Sequence, residues 1–412
     1  MLLKERSSTS LTTIVLSALV VTLAGAAWGA PKYKVLHAFS GSVDGGGLWG
    51  SLVFDSQGDL YGTTSGGGPY GQGTVFELSP DSNGRWSETV QHGFPSFPHD
   101  GQGPTSNLIL DTAGDLFGTT LGGGDHDGGV VFELMRNTAD RAESILYNFC
   151  AKPRCSDGGS PYAGLVSGNA GNLFGTAGAV FKLFPTSDGW REVVLHSFTC
   201  HRGNGCDPYA GTIRDPAGNL YGTTERGGAH DVGIVYRLRR SASGWKESVL
   251  HSFGGFHDDG QVPGVGALAS DDSGDLYGTT VQGGSNTCVD VGSGTVFKLT
   301  LGSDGDWKET ILYNFEGNAN GSGPGGGVVR DKAGNLYGTT VYGGTMSCAC
   351  GVVYKLAPGS KGKWTYTVLH RFTGSDGAQP DANLILDGRG NLYGTTVTGG
   401  EGGAGVAFEI TP

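Results

Sequence analysis

Short runs of alternating apolar and polar residues, separated by glycine-rich turns, recur from residue 33 to residue 410. A period of two predicts β-strands, because successive side chains leave a strand on opposite faces. One run contains L-[YF]-G-T and places its aromatic residue at Tyr61, Phe117, Phe174, Tyr221, Tyr277, Tyr337 and Tyr393, with separations of 56, 57, 47, 56, 60 and 56 residues. Before it stands an Asp/Asn-Gly turn, as in DSQGDLYGTT and DKAGNLYGTT, and before that a shorter apolar run such as SLVFD or NLILD. After it come a Gly-rich connection and a third strand, GTVFEL, GVVFEL, AVFKL, GIVYRL, GTVFKL, GVVYKL or GVAFEI. A fourth strand closes each unit, as in WSETVQHGF, AESILYNF, WREVVLHSF, WKESVLHSF, WKETILYNF and WTYTVLHRF. Four short strands per repeat of this length predict one propeller blade.

The fourth strand must be covered on both sides. Strict alternation puts Trp190, Glu192, Val194, His196 and Phe198 on one face and Val193 and Leu195 on the other. The ends of the repeat region complement each other: YKVLHAF, residues 33–39, has fourth-strand character, whereas the last repeat stops at the third-strand element GVAFEI. Pairing the two removes open sheet edges. The predicted fold is therefore all-β: a seven-bladed β-propeller with four-stranded antiparallel blades and the N-terminal strand closing the final blade. A solenoid with dedicated caps is the main alternative.

Composition adds a compartment and removes some partners. Residues 1–30 read as a signal peptide, with Lys4 and Arg6 before an apolar run from about Ile14 to Ala27 and small residues after it; residues 31–412 form the propeller. The expected location is secreted, extracellular or periplasmic, with no stable transmembrane segment after processing. The net charge of -12 and the lack of a basic cluster argue against nucleic acid. The 78 glycines cluster at turns and lack collagen spacing. Oligomeric state is not set by any of these features.

The motifs GNLYGTT, GVVYKL and WKESVLHSF resemble the repeats of the bacterial GloVer-type tandem-repeat family across nearly the whole mature chain. The resemblance implies an exported, extracellular or surface-associated β-repeat protein and supplies no catalytic activity. Some members of that family carry a C-terminal anchoring segment, whereas here FEITP follows the last repeat directly, so no such segment is expected.

With strands ordered outward from the axis, the fourth-to-first and second-to-third connections share one loop-rich face. Its first ring holds Asp44, Asp100, Asp157, Asn204, Asp259, Asn320 and Asp376, each followed by Gly, and reads as structural turns in which the Asx side chain caps local N–H groups. No compact D-x-D-x-D loop specifies calcium. The second-to-third connections vary and supply the ligand-binding candidates Tyr70, Asp125, His126, Asp127, His230, Asp231 and Tyr342, while blade 3 shortens this wall to about Ala177, Gly178 and Ala179. His37, His92, His196, His251 and His370 recur in the fourth strands, and Tyr147 and Tyr313 replace them twice. Imidazole and phenol share packing more readily than catalysis, so these are read as structural.

Cys150 with Cys155 and Cys200 with Cys206 are disulfide candidates within one connection each, and Cys288 with Cys348 is a cross-blade candidate, with Cys350 nearby. No catalytic, metal or cofactor motif is present: G-x-S-x-G, H-E-x-x-H and the phosphate-binding P-loop pattern are all absent. The functional expectation is a binding or scaffold protein that recognises an extracellular glycan or protein through the loop-rich face. The alternatives are a secreted polysaccharide hydrolase or lyase and a structural surface protein without activity.

Overall fold

Seven four-stranded antiparallel sheets follow one another along the chain, and strand order within each runs outward from the axis without crossover. The computed structural model describes residues 30–95, 99–136, 142–200, 203–256, 258–285, 292–345 and 347–412. Blade 1 has strands Val53–Phe54, Leu60–Thr64, Thr74–Pro80 and Trp86–Gly93. Blades 2 to 6 repeat the pattern, with second strands beginning at Leu116, Leu173, Leu220, Leu276 and Leu336. Blade 7 takes Ile385–Leu386, Leu392–Thr395 and Val406–Thr411 from the C-terminal repeat and Lys32–Ala38 from the N-terminal end. The closing ladder is antiparallel and pairs Val35 with Phe408 and His37 with Ala407, as the complementary ends predict. No helix among the described residues is long and apolar enough to cross a membrane.

The glycine of L-[YF]-G-T is required by packing. A Cβ on Gly62 would lie 2.5 Å from Phe76 Cζ, and one on Gly338 would lie 2.4 Å from the Tyr354 hydroxyl, because the third strand's aromatic ring crosses directly over it. The threonine that follows stitches blades together near the axis. Thr63 Oγ1 donates to the Ser106 carbonyl at 2.9 Å, and Thr395 Oγ1 donates to the Gly50 carbonyl at 3.1 Å across the closure. Each interface between blades holds its own apolar cluster, such as Phe39, Leu52, Phe76 and Tyr393 between blades 7 and 1.

The fourth strand corrects one sequence expectation. In all seven blades its pairing with the third strand contains a β-bulge, and in blade 3 Val194 pairs with Phe181 while His196 pairs with Val180, which leaves Leu195 as the extra residue. An inserted residue reverses the facing of everything beyond it. Trp190 and Glu192 therefore face the preceding blade, and His196 and Phe198 face the following one.

Three cysteine pairs are present. Cys150–Cys155 and Cys200–Cys206 match the candidates, but Cys348 bonds to Cys350 rather than to Cys288. The two-residue separation makes Cys350 the nearer partner, and Cys288 lies outside the described residues.

Candidate functional site

The bulges create a ring of side-chain clasps between blades. Each runs from the fourth-strand His or Tyr of one blade to the fourth-strand Glu or Tyr of the next, and in most of them the Asx residue of the intervening loop takes part. His251 Nε2 lies 3.4 Å from Asp259 and 3.6 Å from Glu309. His92 Nε2 lies 3.4 Å from Glu143, with Asp100 in the same group. At the joint between blades 2 and 3, the Tyr147 hydroxyl donates to Asp157 at 2.8 Å and the Lys152 ammonium donates to Glu192 at 2.6 Å. Where tyrosine replaces the glutamate, ring stacking replaces the charge: Tyr366 stacks on Tyr313 at 4.1 Å, and Tyr33 stacks on His370 at 3.8 Å.

The Asx carboxylates also hold their own loops. Asp44, Asp157, Asp259 and Asp376 accept backbone N–H bonds from Ser40, Ala151, Gly255 and Thr373. Burial works against the charge of Asp259, yet the His251 and Gly255 hydrogen bonds keep its carboxyl below the ordinary range. Burial, with Asp259 facing it, pushes Glu309 well above that range, and burial with Asp100 does the same to Glu143. Each of these two clasps thus favours one proton shared between two carboxyls. Among the described residues, His92, Asp100 and Glu143, like His251, Asp259 and Glu309, offer ligand atoms within 4.8 Å of one another and could hold a metal. Elsewhere the place is taken by Lys152 or by stacked aromatic rings, so the trait shared by the joints is the joining of blades.

The loop-rich face is built as expected, because fourth-to-first connections pair with second-to-third connections: Gly101–Gln102 with Gly122–Gly123, and Gly205–Cys206 with Arg226–Gly227. The rim candidates divide by role. Asp125 meets His99, whereas Asp127 turns back to accept the Gly123 N–H at 3.1 Å. Asp231 likewise accepts the Gly227 N–H at 3.1 Å beside His230. Tyr70 and Tyr342 are exposed, and Tyr70 borders a groove of about 750 Å³ along blade 1. None of the seven rim candidates lines the axial cavity.

That cavity, about 610 Å³, opens at the centre of the loop-rich face and is the site that sequence reasoning missed. It is walled by the residues just before each inner strand, among them Trp49, Thr105, Tyr162, Tyr209, Val265 and Asp381. Trp49 and Tyr162 remain 46% and 47% exposed, too much for packing groups of that size. The rings of Tyr162 and Tyr209 meet edge to face at 4.8 Å. On one side Asn383 spans blade 6, accepting the Gly327 N–H at 2.8 Å and donating to the Ala267 carbonyl at 3.5 Å. Asp381 sits above it against Gly325, where a Cβ would fall 1.7 Å from its carboxylate oxygen. Burial alone pushes the Asp381 carboxyl up to about 6. The missed signal was a single position, one residue after the loop proline, that reads Thr105, Tyr162, Tyr209, Gly325 and Asp381.

Comparison with known proteins supports the fold and leaves the activity to the site itself. No curated protein matches the sequence. A candidate 6-phosphogluconolactonase from Bacteroides uniformis shares 14% identity over 84% of this chain and 88% of its own, with a TM-score of 0.50. An ancestral GH74 enzyme shares 13% identity over 88% of this chain and 48% of its own, with a TM-score of 0.53. At such identity the likeness is one of fold. A repeat model covers residues 24–178, 177–345 and 288–412, nearly the full length and in agreement with the motif resemblance. The chain therefore belongs to the Gloeobacter/Verrucomicrobia repeat family.

Proposed function

We propose that this is an exported binding protein that recognises an extracellular glycan at the axial mouth of the propeller. The observation that carries the reading is the half-exposed Trp49 and Tyr162, with Tyr209, around a cavity that also presents Asp381 and Asn383. Aromatic faces stack on the apolar faces of sugar rings, and a few polar groups then select hydroxyl positions. The volume falls in the ordinary range for small-ligand sites. Export is supported by the N-terminal charge and apolar pattern and by three disulfides. Among the residues lining the cavity Asp381 is the one carboxyl, whereas glycoside hydrolysis ordinarily uses a pair, which favours binding over the hydrolase alternative.

The test is a glycan-array screen of the mature chain followed by titration calorimetry. Trp49→Ala and Tyr209→Ala should each weaken a hit at least about tenfold, the scale of a lost stacking contact. A second panel, Asp125→Ala, His126→Ala, His230→Ala and Asp231→Ala, probes the rim. Loss of binding in that panel, with the mouth variants unaffected, would move the site outward.

A further inference from the structure

We propose that the axial mouth takes a glycan bearing free amino groups, with an ammonium on Asp381 and sugar rings against Trp49, Tyr162 and Tyr209. This rests on the glycan reading of the same site and names its chemical class. Among the described residues, Asp381 is the only charged side chain on the cavity wall. Burial is the sole influence on its carboxyl, with neither a hydrogen bond nor a neighbouring charge to offset the lost hydration. By contrast, Asp259 on the same face accepts the Gly255 N–H, and Glu192 accepts from the Lys152 ammonium.

A carboxylate held in this way is a poor neighbour for an anionic sugar and gains most from a cation. An ammonium would supply a charge-assisted hydrogen bond to the carboxylate, and the aromatic faces would add cation–π attraction. Glycine at residue 325 makes room for the Asp381 carboxylate on the cavity wall, since any side chain there would strike it. The chain's net charge of -12 also draws cationic ligands toward the surface.

Titration calorimetry of the mature chain at pH 6.5 and physiological salt would compare three oligosaccharides of equal length: β-1,4-linked glucosamine, N-acetylglucosamine and glucose. That pH leaves Asp381 largely ionised and glucosamine partly protonated. The glucosamine chain should bind at least about tenfold more tightly than the other two, a difference typical of one charge-assisted contact. Asp381→Asn should bring all three within about twofold, with Asp381→Ser as a second variant and melting temperature as the folding control for both. Equal affinities, tighter binding of the acetylated or glucose chain, or a preference that survives Asp381→Asn would overturn the ammonium assignment and leave glycan recognition standing. If none of the three binds and the array also gives no hit, both readings fall.

Discussion

The clasp between blades 4 and 5 gives a stability test with a definite sign. Glu309 is buried against Asp259 and its carboxyl is pushed far above the ordinary range, so the folded chain holds a proton that the unfolded chain releases. Stability from such a group is fully present below the unfolded value, near 4.3, and is lost as pH rises toward the folded value. Glu309→Gln copies the protonated shape and removes the titration. Its ceiling is set by the upward shift at about 1.36 kcal/mol per unit, and relaxation around a shared proton reduces the gain to roughly 1–2 kcal/mol at pH 8. For a chain of this size that is a rise of about 2 °C or so in melting temperature. Differential scanning calorimetry of the variant and parent at pH 3.5 and pH 8 should give a difference near zero at the first and positive at the second. A difference that is constant with pH, or a variant less stable at both, would refute the shared-proton account of the clasp. Glu88, pushed up to about 7 by burial and Asp44, should show the same sign for Glu88→Gln with the gain complete at lower pH.

Two further outcomes test the architecture. Gly338→Ala places a methyl group against the fully buried Tyr354 ring and should cost roughly 1–3 kcal/mol by urea denaturation, whereas Gly388→Ala, with open space around its Cβ, should be silent. Deleting residues 31–39 removes the outer strand of blade 7 with the fully buried Phe39, whose loss alone is worth about 3–5 kcal/mol, and should abolish the folded monomer on size-exclusion chromatography. A truncated monomer that melts like the parent would show that the ring does not depend on this closure.

The ring and its closure could be read from the chain because each blade repeats the same local instruction: an Asx-Gly turn, a glycine under an aromatic ring, and a third strand with apolar residues on both faces. Seven copies average out the ambiguity of any one. The bulge was hidden by the same regularity. In WREVVLHSF the extra residue is Leu195, an apolar side chain that suits strict alternation as well as a bulge, so the pattern predicted Glu192 and His196 on one face. Their separation depends on which blade each meets, and His196 finds its partner at Glu247, about a full repeat away. Read singly, the histidines look like packing groups and the Asx residues like turns; read across the joint, tyrosine at 366 or 33 compensates for the missing glutamate.

The axial mouth escaped notice for the opposite reason. Loop length and charge drew the eye to the rim, where Asp125, His126 and Asp231 stand out, yet Asp127 and Asp231 spend their carboxylates on their own backbone turns. A propeller held by clasps at every joint leaves little freedom in its sheets, and the positions free to change must be those that touch neither a neighbouring blade nor a turn. The residue before each inner strand comes nearest to such a position, since it lines the axial cavity, although Tyr162 and Tyr209 touch each other. Variation there, from Gly325 to Trp49, is therefore better evidence of a ligand than the charged loops are, because no packing or turn requirement accounts for an exposed tryptophan and an uncompensated carboxyl around one cavity.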